Sequence, residues 1–311
     1  MHLALFFWDR LPVSGYGGTQ RAVVWLARGL AELGHEVTLI AGTGTRVPEA
    51  RVVEVDLGHA RRPDFDIAPF LPSGLDLLYG FAPVPGTPPV PYIRRLAGNW
   101  PSGKIAPPNT LFLSANHAAR HGGRCWVYNG VDPSEFIFRP DKDGFDLFLG
   151  RLHSIKGHRL AIEGTRRLDR RLMIAGGWRP TFPWSRVHYH RSVGGTRKAQ
   201  LLAAARCLWM PAQWHEPFGL TLIEALVSGT PVIGTHYGSL PEIIRPWVGG
   251  LGDSLEELVE VARNVGQVDP AACRARVKRY FSHRTMAEGY VRVARHYLDS
   301  GALPPGVEAG D

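Results

Sequence analysis

Short apolar strands alternate with helix-like segments along two separate stretches of this 311-residue chain. The first stretch opens with the apolar run His2–Trp8, which ends at the glycine loop Gly15-Tyr16-Gly17-Gly18. Apolar residues then recur at helical spacing after Thr19, which is placed to cap a helix, and Glu36–Ala41 is a second strand. This alternation predicts an α/β protein, with parallel strands covered by helices on both faces.

A second alternating series opens with strand Asp146–Arg151. It continues with the predicted helices and strands His158–Leu168, Arg171–Ala175, Val187–His190, Thr196–Cys207, Leu208–Pro211, Leu220–Val227 and Pro231–Thr235, and closes with helices near Ser254–Val265 and Met286–Leu298. At roughly 150 residues per domain, the length suits two domains. We expect a bilobal protein with a cleft, in which Pro133–Asp143 links the lobes.

Composition excludes several classes of protein. Mean hydropathy is -0.11, and no apolar run approaches the roughly 18 residues that a membrane span needs. The early run Leu3–Trp8 lacks the basic flank and small-residue cleavage site of a signal peptide. Cys125, Cys207 and Cys273 lie far apart and are odd in number, which argues against a disulfide framework. We expect a cytoplasmic protein with buried, reduced cysteines.

The net charge of +8 raises the question of an anionic partner. Its densest basic stretch comprises Arg274, Arg276, Lys278, Arg279, Arg284, Arg292 and Arg295. No aromatic residues alternate with these charges as in RNA-binding motifs, so nucleic acid is not an expected partner. The stretch is interpreted as a solvated helix face, with peripheral contact to an anionic membrane, at its inner face, as the alternative.

Eight prolines fall between Phe81 and Asn109. Proline lacks the backbone N–H that a sheet or helix needs, so this segment is predicted to be irregular and to form an active-site rim. Strand Thr110–Ala115 is expected to follow it.

The glycine loop before the first helix suits an anion or a sugar, because glycine lets a ligand approach the backbone amides at a helix N-terminus. The NAD fingerprint is not met, since Gln20 replaces its third glycine and no acid closes the second strand. Hydride transfer is therefore disfavoured. A merely tight turn remains an alternative for this loop alone.

A second loop carries two cations. Gly150-Arg151-Leu152-His153 is followed by Lys156-Gly157 at the start of a predicted helix. Two positive charges beside a helix N-terminus suit a diphosphate, and no Walker A pattern is present. Taken singly, either cation would be an ordinary surface charge.

Two acids stand eight residues apart in the string from His215 to Glu224. Glu224 lies in an otherwise apolar helix and must find partners there. Glu216 and Glu224 could hold separate parts of one elongated ligand. The string is not a zinc-binding HExxH, because position 219 is glycine. Neither His117 with His121 nor His188 with His190 has an apparent third ligand, so no metal is expected.

These strings together resemble family 4 (GT4) retaining glycosyltransferases of the GT-B superfamily. The matching strings, in the family's order, are Gly17-Gly18-Thr19-Gln20-Arg21, Asn129-Gly130-Val131-Asp132, Gly150-Arg151 with Lys156-Gly157, Glu216-Pro217-Phe218-Gly219 with Glu224-Ala225, Gly229-Thr230-Pro231-Val232-Ile233, and Gly238-Ser239-Leu240-Pro241-Glu242. The resemblance covers nearly the whole chain and is weakest between about residues 43 and 109.

The resemblance implies a GT-B fold, with two Rossmann-like domains facing across a cleft. An acceptor-side domain would span residues 1–140 and a donor-binding domain residues 141–283, and a last helix at about 284–311 would return to the first domain. It implies a metal-independent, retaining transfer from a nucleotide-diphosphate sugar, with UDP favoured, and no cofactor. The acceptor would be a sugar, a lipid-linked molecule or a small molecule, and the protein a monomer or homodimer.

The resemblance also assigns roles by position. Arg151 and Lys156 would hold the donor diphosphate, Glu216 the donor sugar and Glu224 the ribose. The remaining implied contacts with the donor come from Gly17, Gly18, Phe218, Gly219 and Leu220, and from Gly177 and Ser192 around the base.

One family feature is missing. Many relatives carry a histidine after a middle strand of the first domain, but strand Leu75–Leu78 here ends in Tyr79-Gly80-Phe81. His117, beside Asn116, is the predicted substitute. The alternative function is a nucleotide-sugar-binding protein or a degenerate transferase without turnover.

Overall fold

A computed structural model of the chain describes residues 1–13, 15, 17–101 and 103–310. Tyr16 of the predicted glycine loop therefore lies outside the described residues. The chain folds as two compact units. Unit 1 comprises Met1–Val13, Gly17–Val131 and Ser282–Glu308, and unit 2 is built on Asp132–Phe281. The units divide nine residues before the predicted boundary at residue 140.

Unit 1 contains a six-stranded parallel sheet with the order β3-β2-β1-β4-β5-β6. Its strands are β1 (His2–Phe7), β2 (Glu36–Gly42), β3 (Arg51–Val55), β4 (Leu77–Gly80), β5 (Tyr92–Arg95) and β6 (Thr110–Leu111). β1 is central and buried at every position, as a run of apolar residues in a covered parallel sheet should be.

The helices of unit 1 are α1 (Gly18–Glu32), α2 (Leu57–Ala60), α3 (Ala115–Arg120) and α10 (His283–Ser300). The last helix, α10, packs on α1, as the family resemblance implies. Gly29 of α1 makes this approach possible, because a Cβ there would lie 2.5 Å from the carbonyl oxygen of His283. The ring of His283 also bonds to Glu32, with 2.9 Å between Nε2 and Oε2.

Unit 2 contains a second six-stranded parallel sheet, with the order β12-β11-β10-β7-β8-β9. Its strands are β7 (Phe145–Leu149), β8 (Arg171–Ala175), β9 (Val187–His190), β10 (Leu208–Met210), β11 (Val232–Gly234) and β12 (Gly249–Leu251). Its helices are α4 (His158–Arg167), α5 (Gly195–Ala204), α6 (Leu220–Val227), α7 (Leu240–Ile243), α8 (Leu255–Asn264) and α9 (Pro270–Tyr280).

The two sheets share one topology. In each, the first strand along the chain pairs with both the second and the fourth, which is the dinucleotide-fold order. The order reverses between β1 and β4 in unit 1, and between β7 and β10 in unit 2. Ligands of such sheets bind outside the carboxyl ends of the strands at this reversal. The loops after β7 and β10 are therefore the place to look for a site in unit 2.

A polar contact anchors the core of unit 2. Asp146 of β7 is fully buried and accepts a hydrogen bond from the indole N–H of Trp209 at 3.0 Å. Burial raises the pKa of its carboxyl group, although the bond from Trp209 and the charges of Arg170 and Arg206 act in the opposite direction. These contacts hold β7 and β10 together, so they position the two strands that lead into the candidate site.

Several predicted elements are corrected. The proline-rich segment is not wholly irregular, because Tyr92–Arg95 forms β5 between β4 and β6. The predicted strand Thr110–Ala115 shortens to Thr110–Leu111, since Ser114 caps α3 through its side chain. Thr19 is not the cap of α1, which begins at Gly18 with Gly17 as its N-cap residue. Strand β3 and helix α9 were not predicted.

Residues 133–143, predicted as a linker, are held against unit 2. The ammonium group of Lys142 donates to the carbonyl oxygen of Ala203 at 2.9 Å and to Thr230 Oγ1 at 3.0 Å. Arg274 donates to the carbonyl oxygen of Pro133 at 3.1 Å. The segment is therefore part of unit 2, which moves the predicted boundary.

The C-terminal basic stretch is not a uniformly solvated face. Arg276 is 4% exposed and donates to the carbonyl oxygens of Ile243, Glu242 and Gly310. Lys278 of the same helix is exposed. Arg276, predicted as a surface charge, is thus a buried side chain that hydrogen-bonds to three backbone carbonyl groups.

The three cysteines are free and buried, as predicted. Burial raises the pKa of the Cys125 and Cys273 thiols to about 12. Among the helices of the described residues, none has the length and hydropathy needed to cross a bilayer.

Candidate functional site

Two loops meet at the carboxyl edge of the unit 2 sheet. One follows β7 and carries Lys156, and the other follows β10 and carries Glu216. The N–H of Gln213 donates to the carbonyl oxygen of Ile155 at 2.8 Å, which ties the loops together. Gly157 has φ +74°, and a Cβ there would collide with the carbonyl oxygen of Pro211. Only glycine therefore allows the loops to come this close.

The tied loops bring a lysine and a glutamate into contact. Lys156 Nζ donates to Glu216 Oε2 at 2.5 Å, and the two side chains are only 16% and 12% exposed. Trp214 lies beside both groups. Its indole N–H donates to the same carboxylate oxygen at 3.0 Å, and Nζ lies 4.7 Å from its ring centroid. The pair is largely enclosed and holds its charges in fixed positions.

The backbone of Glu216 is fixed from the other side. The N–H of Ser239 donates to the carbonyl oxygen of Glu216 at 3.0 Å, and Ser239 Oγ donates to that of Phe218 at 2.7 Å. Gly238 has φ +66°, and a Cβ there would collide with the backbone of Glu216. The predicted string at 238–242 thus serves to hold the acid-bearing loop in place.

Helix α6 carries the second acid, Glu224, which is 1% exposed. Lys198 of α5 neutralises it, with Nζ 2.6 Å from both carboxylate oxygens. Nζ donates a hydrogen bond to Oε1 and faces Oε2 as its ion-pair partner. Each oxygen of a carboxylate can accept about two hydrogen bonds, so Oε2 can also accept one from a ligand.

The start of α6 lies between these acids. Gly219 is its N-cap residue, with φ +86°, and its first residue is Leu220. The phenyl ring of Phe218 is 2% exposed and contacts Phe281, so only backbone atoms of Phe218 are available to a ligand. Unpaired N–H groups at a helix start attract anions and polar oxygens.

The other predicted donor contacts follow strands of the same sheet. Arg151 is exposed in the loop after β7, and Ser192 is exposed after β9. Gly177 follows β8, and a Cβ there would lie 2.5 Å from the side chain of Leu152. Gly17 and Gly18 belong to unit 1, and their contact with a donor stays a prediction.

His117 has a different place from the one predicted. It lies in α3 of unit 1 and is 1% exposed. Its Nδ1 is 3.4 Å from the N–H of Leu113, and its Nε2 is 3.3 Å from the carbonyl oxygen of Gly98. Burial lowers its pKa to about 3, so the ring is neutral at ordinary pH. Both ring nitrogens are therefore engaged within unit 1, and the contact of His117 with a sugar stays a prediction.

The histidine pairs do not gather further metal-ligating groups. In the part of the chain that the structure describes, no three His, Cys, Asp or Glu side chains are placed to hold one metal ion. His190 is on β9, and its pKa is lowered by burial and by the charge of Arg197.

Residues 134–260 match the family model described as glycosyl transferases group 1. The match covers both tied loops and both acids of the candidate site.

Curated relatives agree over parts of their length. The D-inositol 3-phosphate glycosyltransferase of Streptomyces griseus is 38% identical over 105 residues, which are 34% of this chain and 20% of that protein. The glycogen synthase of Mycobacterium tuberculosis is 31% identical over 173 residues, which are 49% of this chain and 42% of that protein. The chain therefore spans less than half the length of these relatives.

Solved structures match almost the whole fold. AviGT4, a glycosyltransferase involved in avilamycin A biosynthesis, has a TM-score of 0.81 and 28% identity, and the match covers 97% of this chain and 99% of that one. HepE of Anabaena, solved in complex with UDP, has a TM-score of 0.64 and 16% identity, with 94% and 99% covered. The fold is GT-B, as the resemblance implies.

Sequence reasoning missed two contributors to the site. Lys198 was not singled out, although it lies in the first turn of a predicted helix within a cation-rich segment. Trp214, two residues before Glu216, was also missed. The contact of Lys198 with Glu224 joins residues 26 positions apart, which a local pattern does not show, whereas the position of Trp214 near Glu216 was visible in the sequence.

Proposed function

We propose that the chain is a retaining glycosyltransferase that moves a sugar from a nucleotide-diphosphate sugar to an acceptor hydroxyl. Unit 2 is assigned as the donor-binding domain and unit 1 as the acceptor-side domain. The observation that carries the proposal is the meeting of Lys156 with Glu216, and of Lys198 with Glu224, at the carboxyl edge of a glycosyl transferases group 1 domain.

The donor diphosphate is assigned to Arg151 and Lys156. Transfer breaks the bond between the anomeric carbon and the diphosphate oxygen, so negative charge grows on the departing nucleotide. Fixed cations at that position stabilise the charge as it develops. Because these cations supply the positive charge, the proposed reaction requires no metal ion. Chelation of divalent metals should leave turnover unchanged.

Glu216 is assigned to the hydroxyl groups of the donor sugar. Its Oε2 already accepts bonds from Lys156 and Trp214, which hold the carboxylate in one orientation. A fixed carboxylate loses little conformational entropy when a sugar hydroxyl bonds to it. The exposed part of Lys156 can then turn toward a diphosphate without leaving Glu216 unpaired.

Glu224 is assigned to the ribose. Lys198 holds the carboxylate in place, and Oε2 is the proposed acceptor for a hydrogen bond from a ribose hydroxyl. Backbone N–H groups at Gly219 and Leu220 would contact the sugar or phosphate. The base would lie near Gly177 and Ser192, with UDP as the proposed nucleotide because HepE, a protein of the same fold, was solved with UDP.

The partners remain proposals. The acceptor is a sugar, a lipid-linked molecule or a small molecule, and the setting is the cytoplasm.

The second candidate function is a protein that binds nucleotide sugars without turnover. The enclosed position of His117 favours it, because the family's sugar-contacting histidine then has no substitute among the residues predicted here.

Release of free nucleotide separates the two candidates. Incubation of the chain with UDP-, GDP-, ADP- and dTDP-sugars should release one nucleotide, UDP by this proposal. Binding of a nucleotide sugar without release, in the presence of a range of acceptors, would favour the non-transferring alternative. The same panel in a thermal-shift assay identifies the base, because a tight ligand stabilises the folded state.

Glu216→Gln tests the assigned role of the acid. The variant keeps the size of the side chain but loses its charge, so we expect turnover to fall by about 10²-fold. Glu163→Gln is the matched control, since that acid pairs with Arg166 on the surface of α4. Turnover at the wild-type rate in Glu216→Gln would remove Glu216 from the proposed site.

A further inference from the structure

An exposed aromatic cluster follows β8. Trp178, Phe182 and Trp184 are 57%, 68% and 79% exposed. Single exposed aromatic side chains are common, but three within seven residues form a patch that water solvates poorly. The proposed transfer reaction assigns no role to these three side chains, although Trp178 follows Gly177, which is assigned to the base.

The loop holds the rings together on the surface. Phe182 and Trp184 stack on each other, with centroids 5.1 Å apart and planes within 9° of parallel. Pro180 and Pro183 alternate with them in sequence, and proline restricts the backbone around itself. The loop therefore presents flat aromatic faces side by side.

The cluster lies in a segment, residues 170–215, whose charged side chains are all positive. No Asp or Glu occurs between Asp169 and Glu216, whereas this segment contains seven arginines and one lysine. Arg179, Arg186 and Arg191 of the segment are exposed. Arg191 lies 5.9 Å from the ring centroid of Trp178, and Arg186 forms an ion pair with Asp169. We call these six residues, Trp178, Phe182, Trp184, Arg179, Arg186 and Arg191, the aromatic–arginine surface.

We propose that the aromatic–arginine surface binds the interface of an anionic lipid bilayer. Tryptophan and phenylalanine favour the headgroup region, where the ring is partly buried, and arginines beside them pair with lipid phosphates. Each arginine close to an anionic surface strengthens binding by about fivefold. The absence of acids in the segment removes the repulsion that such a surface would otherwise meet.

Other occupants fit less well. Single-stranded nucleic acid binds by stacking bases on separate aromatic faces, but the stack of Phe182 on Trp184 leaves only one outer face on each ring. A second copy of the chain carries the same net charge of +8 and would be repelled. A bilayer accepts adjacent rings without needing space between them, so it matches the observed arrangement.

Vesicle co-sedimentation of the full chain tests the proposal. The wild-type chain should sediment with vesicles of phosphatidylcholine and phosphatidylglycerol, and much less with phosphatidylcholine alone. Replacing the three aromatics together (Trp178→Ser, Phe182→Ser, Trp184→Ser) should weaken binding by at least about tenfold. Trp247→Ser, at an exposed tryptophan elsewhere in unit 2, is the control and should bind as wild type does.

A charge variant provides the second arm. Arg179→Glu with Arg191→Glu should weaken vesicle binding by about 25-fold or more. Lys278→Glu with Arg279→Glu changes the net charge equally in α9 and should have little effect. Unchanged thermal unfolding would show that the variants are folded.

Four results would overturn the proposal. The wild-type chain could remain in the supernatant with anionic vesicles, or the triple aromatic variant could sediment like wild type. A single-stranded oligonucleotide retained by the wild type, released by salt and lost in the triple variant, with no vesicle binding, would assign the surface to nucleic acid instead. A loss confined to the Lys278 and Arg279 variant would move the membrane contact to α9.

Discussion

The two units build a cation, an acid and a tryptophan into the carboxyl edge of the same kind of sheet. In unit 1, Arg61 pairs with Asp9 at 3.0 Å and lies 5.2 Å from the ring centroid of Trp8. In unit 2, Lys156 pairs with Glu216 beside Trp214. The difference is burial, since the unit 1 pair is 52% and 29% exposed and the unit 2 pair 16% and 12%.

Burial changes what such a group can do. Exposed ion pairs are screened by water and contribute about 0–1 kcal/mol. Enclosed charges interact strongly with any ligand that replaces their remaining water, and they are already held in place. Shared topology therefore does not predict shared function, and the enclosed pair is the one that suits an anionic substrate.

Replacing Lys156 in unit 2 and Arg61 in unit 1 should reveal the largest difference in activity between the two units. Lys156→Met should lower the rate of nucleotide release by about 10²–10³-fold, because one charge that stabilises the departing diphosphate is lost. Arg61→Met, its counterpart in unit 1, should change the rate by less than about twofold. Rates are measured with the nucleotide sugar found in the panel. Equal losses in the two variants would contradict the distinction between the units.

Replacing a loop glycine by alanine should also cost more stability in unit 2 than in unit 1. Gly157→Ala should destabilise the fold by about 3 kcal/mol, since φ is +74° and the new Cβ meets a backbone carbonyl that cannot move freely. Gly17→Ala should cost about 1 kcal/mol or less. Its φ of 168° is extended backbone, and the atoms nearest the new Cβ belong to the side chains of Gln20 and Val13.

Urea unfolding of both glycine variants provides the measurement. A Gly157→Ala chain as stable as wild type would show that the loops after β7 and β10 do not need their close approach.

The second ion pair of unit 2, Lys198 with Glu224, predicts a smaller effect, on UDP binding. Lys198→Met should weaken UDP binding by about tenfold, because the buried carboxylate of Glu224 loses the cation that pairs with it and orients it. The wild type should bind UDP more tightly than the UDP analogue that lacks the ribose hydroxyls. Glu224→Leu should reduce this difference in affinity. Lys142→Met, at another partly buried lysine of unit 2, controls for general loss of stability. An unchanged preference in Glu224→Leu would exclude the ribose contact.

In unit 1 the buried His117 predicts a pH effect on stability. Its pKa is about 3 when folded and about 6.5 when unfolded, so below pH 6.5 the unfolded chain binds a proton that the folded chain does not. This contribution to stability is complete above pH 6.5 and is lost as the pH falls toward 3. Between pH 7 and pH 5.5 the loss is roughly 1 kcal/mol.

His117→Gln cannot titrate in this range, so its unfolding free energy should fall less between pH 7 and pH 5.5. Parallel pH dependence in variant and wild type would contradict the burial of a neutral imidazole. Turnover should persist in a folded His117→Gln chain, whereas abolished turnover would restore the predicted catalytic role.

Elements built from local patterns were predictable. Leu220–Val227, Arg171–Ala175 and Val187–His190 appear with the predicted bounds, because each is a regular apolar pattern closed by clear breaks. β5 was not predictable in the same way. Tyr92–Arg95 lies among prolines, and its strand geometry depends on pairing with β4 and β6.

The pairing of the candidate site's side chains was not predictable. The sequence assigned Lys156 and Glu216 to a proposed donor without showing that the two side chains contact each other, 60 positions apart. Lys198 is 26 positions from Glu224. Such contacts follow from strand order and helix packing, which a local pattern does not encode. The burial of His117 was not predictable either, since it follows from packing within unit 1.

The position of UDP in a crystal of the complex tests the central claim most directly. We expect the diphosphate within hydrogen-bond distance of Lys156 Nζ and a ribose hydroxyl on Glu224 Oε2, in a chain otherwise folded as described. UDP held away from both side chains, or no UDP bound at saturating concentration, would contradict a donor site at the carboxyl edge of the unit 2 sheet.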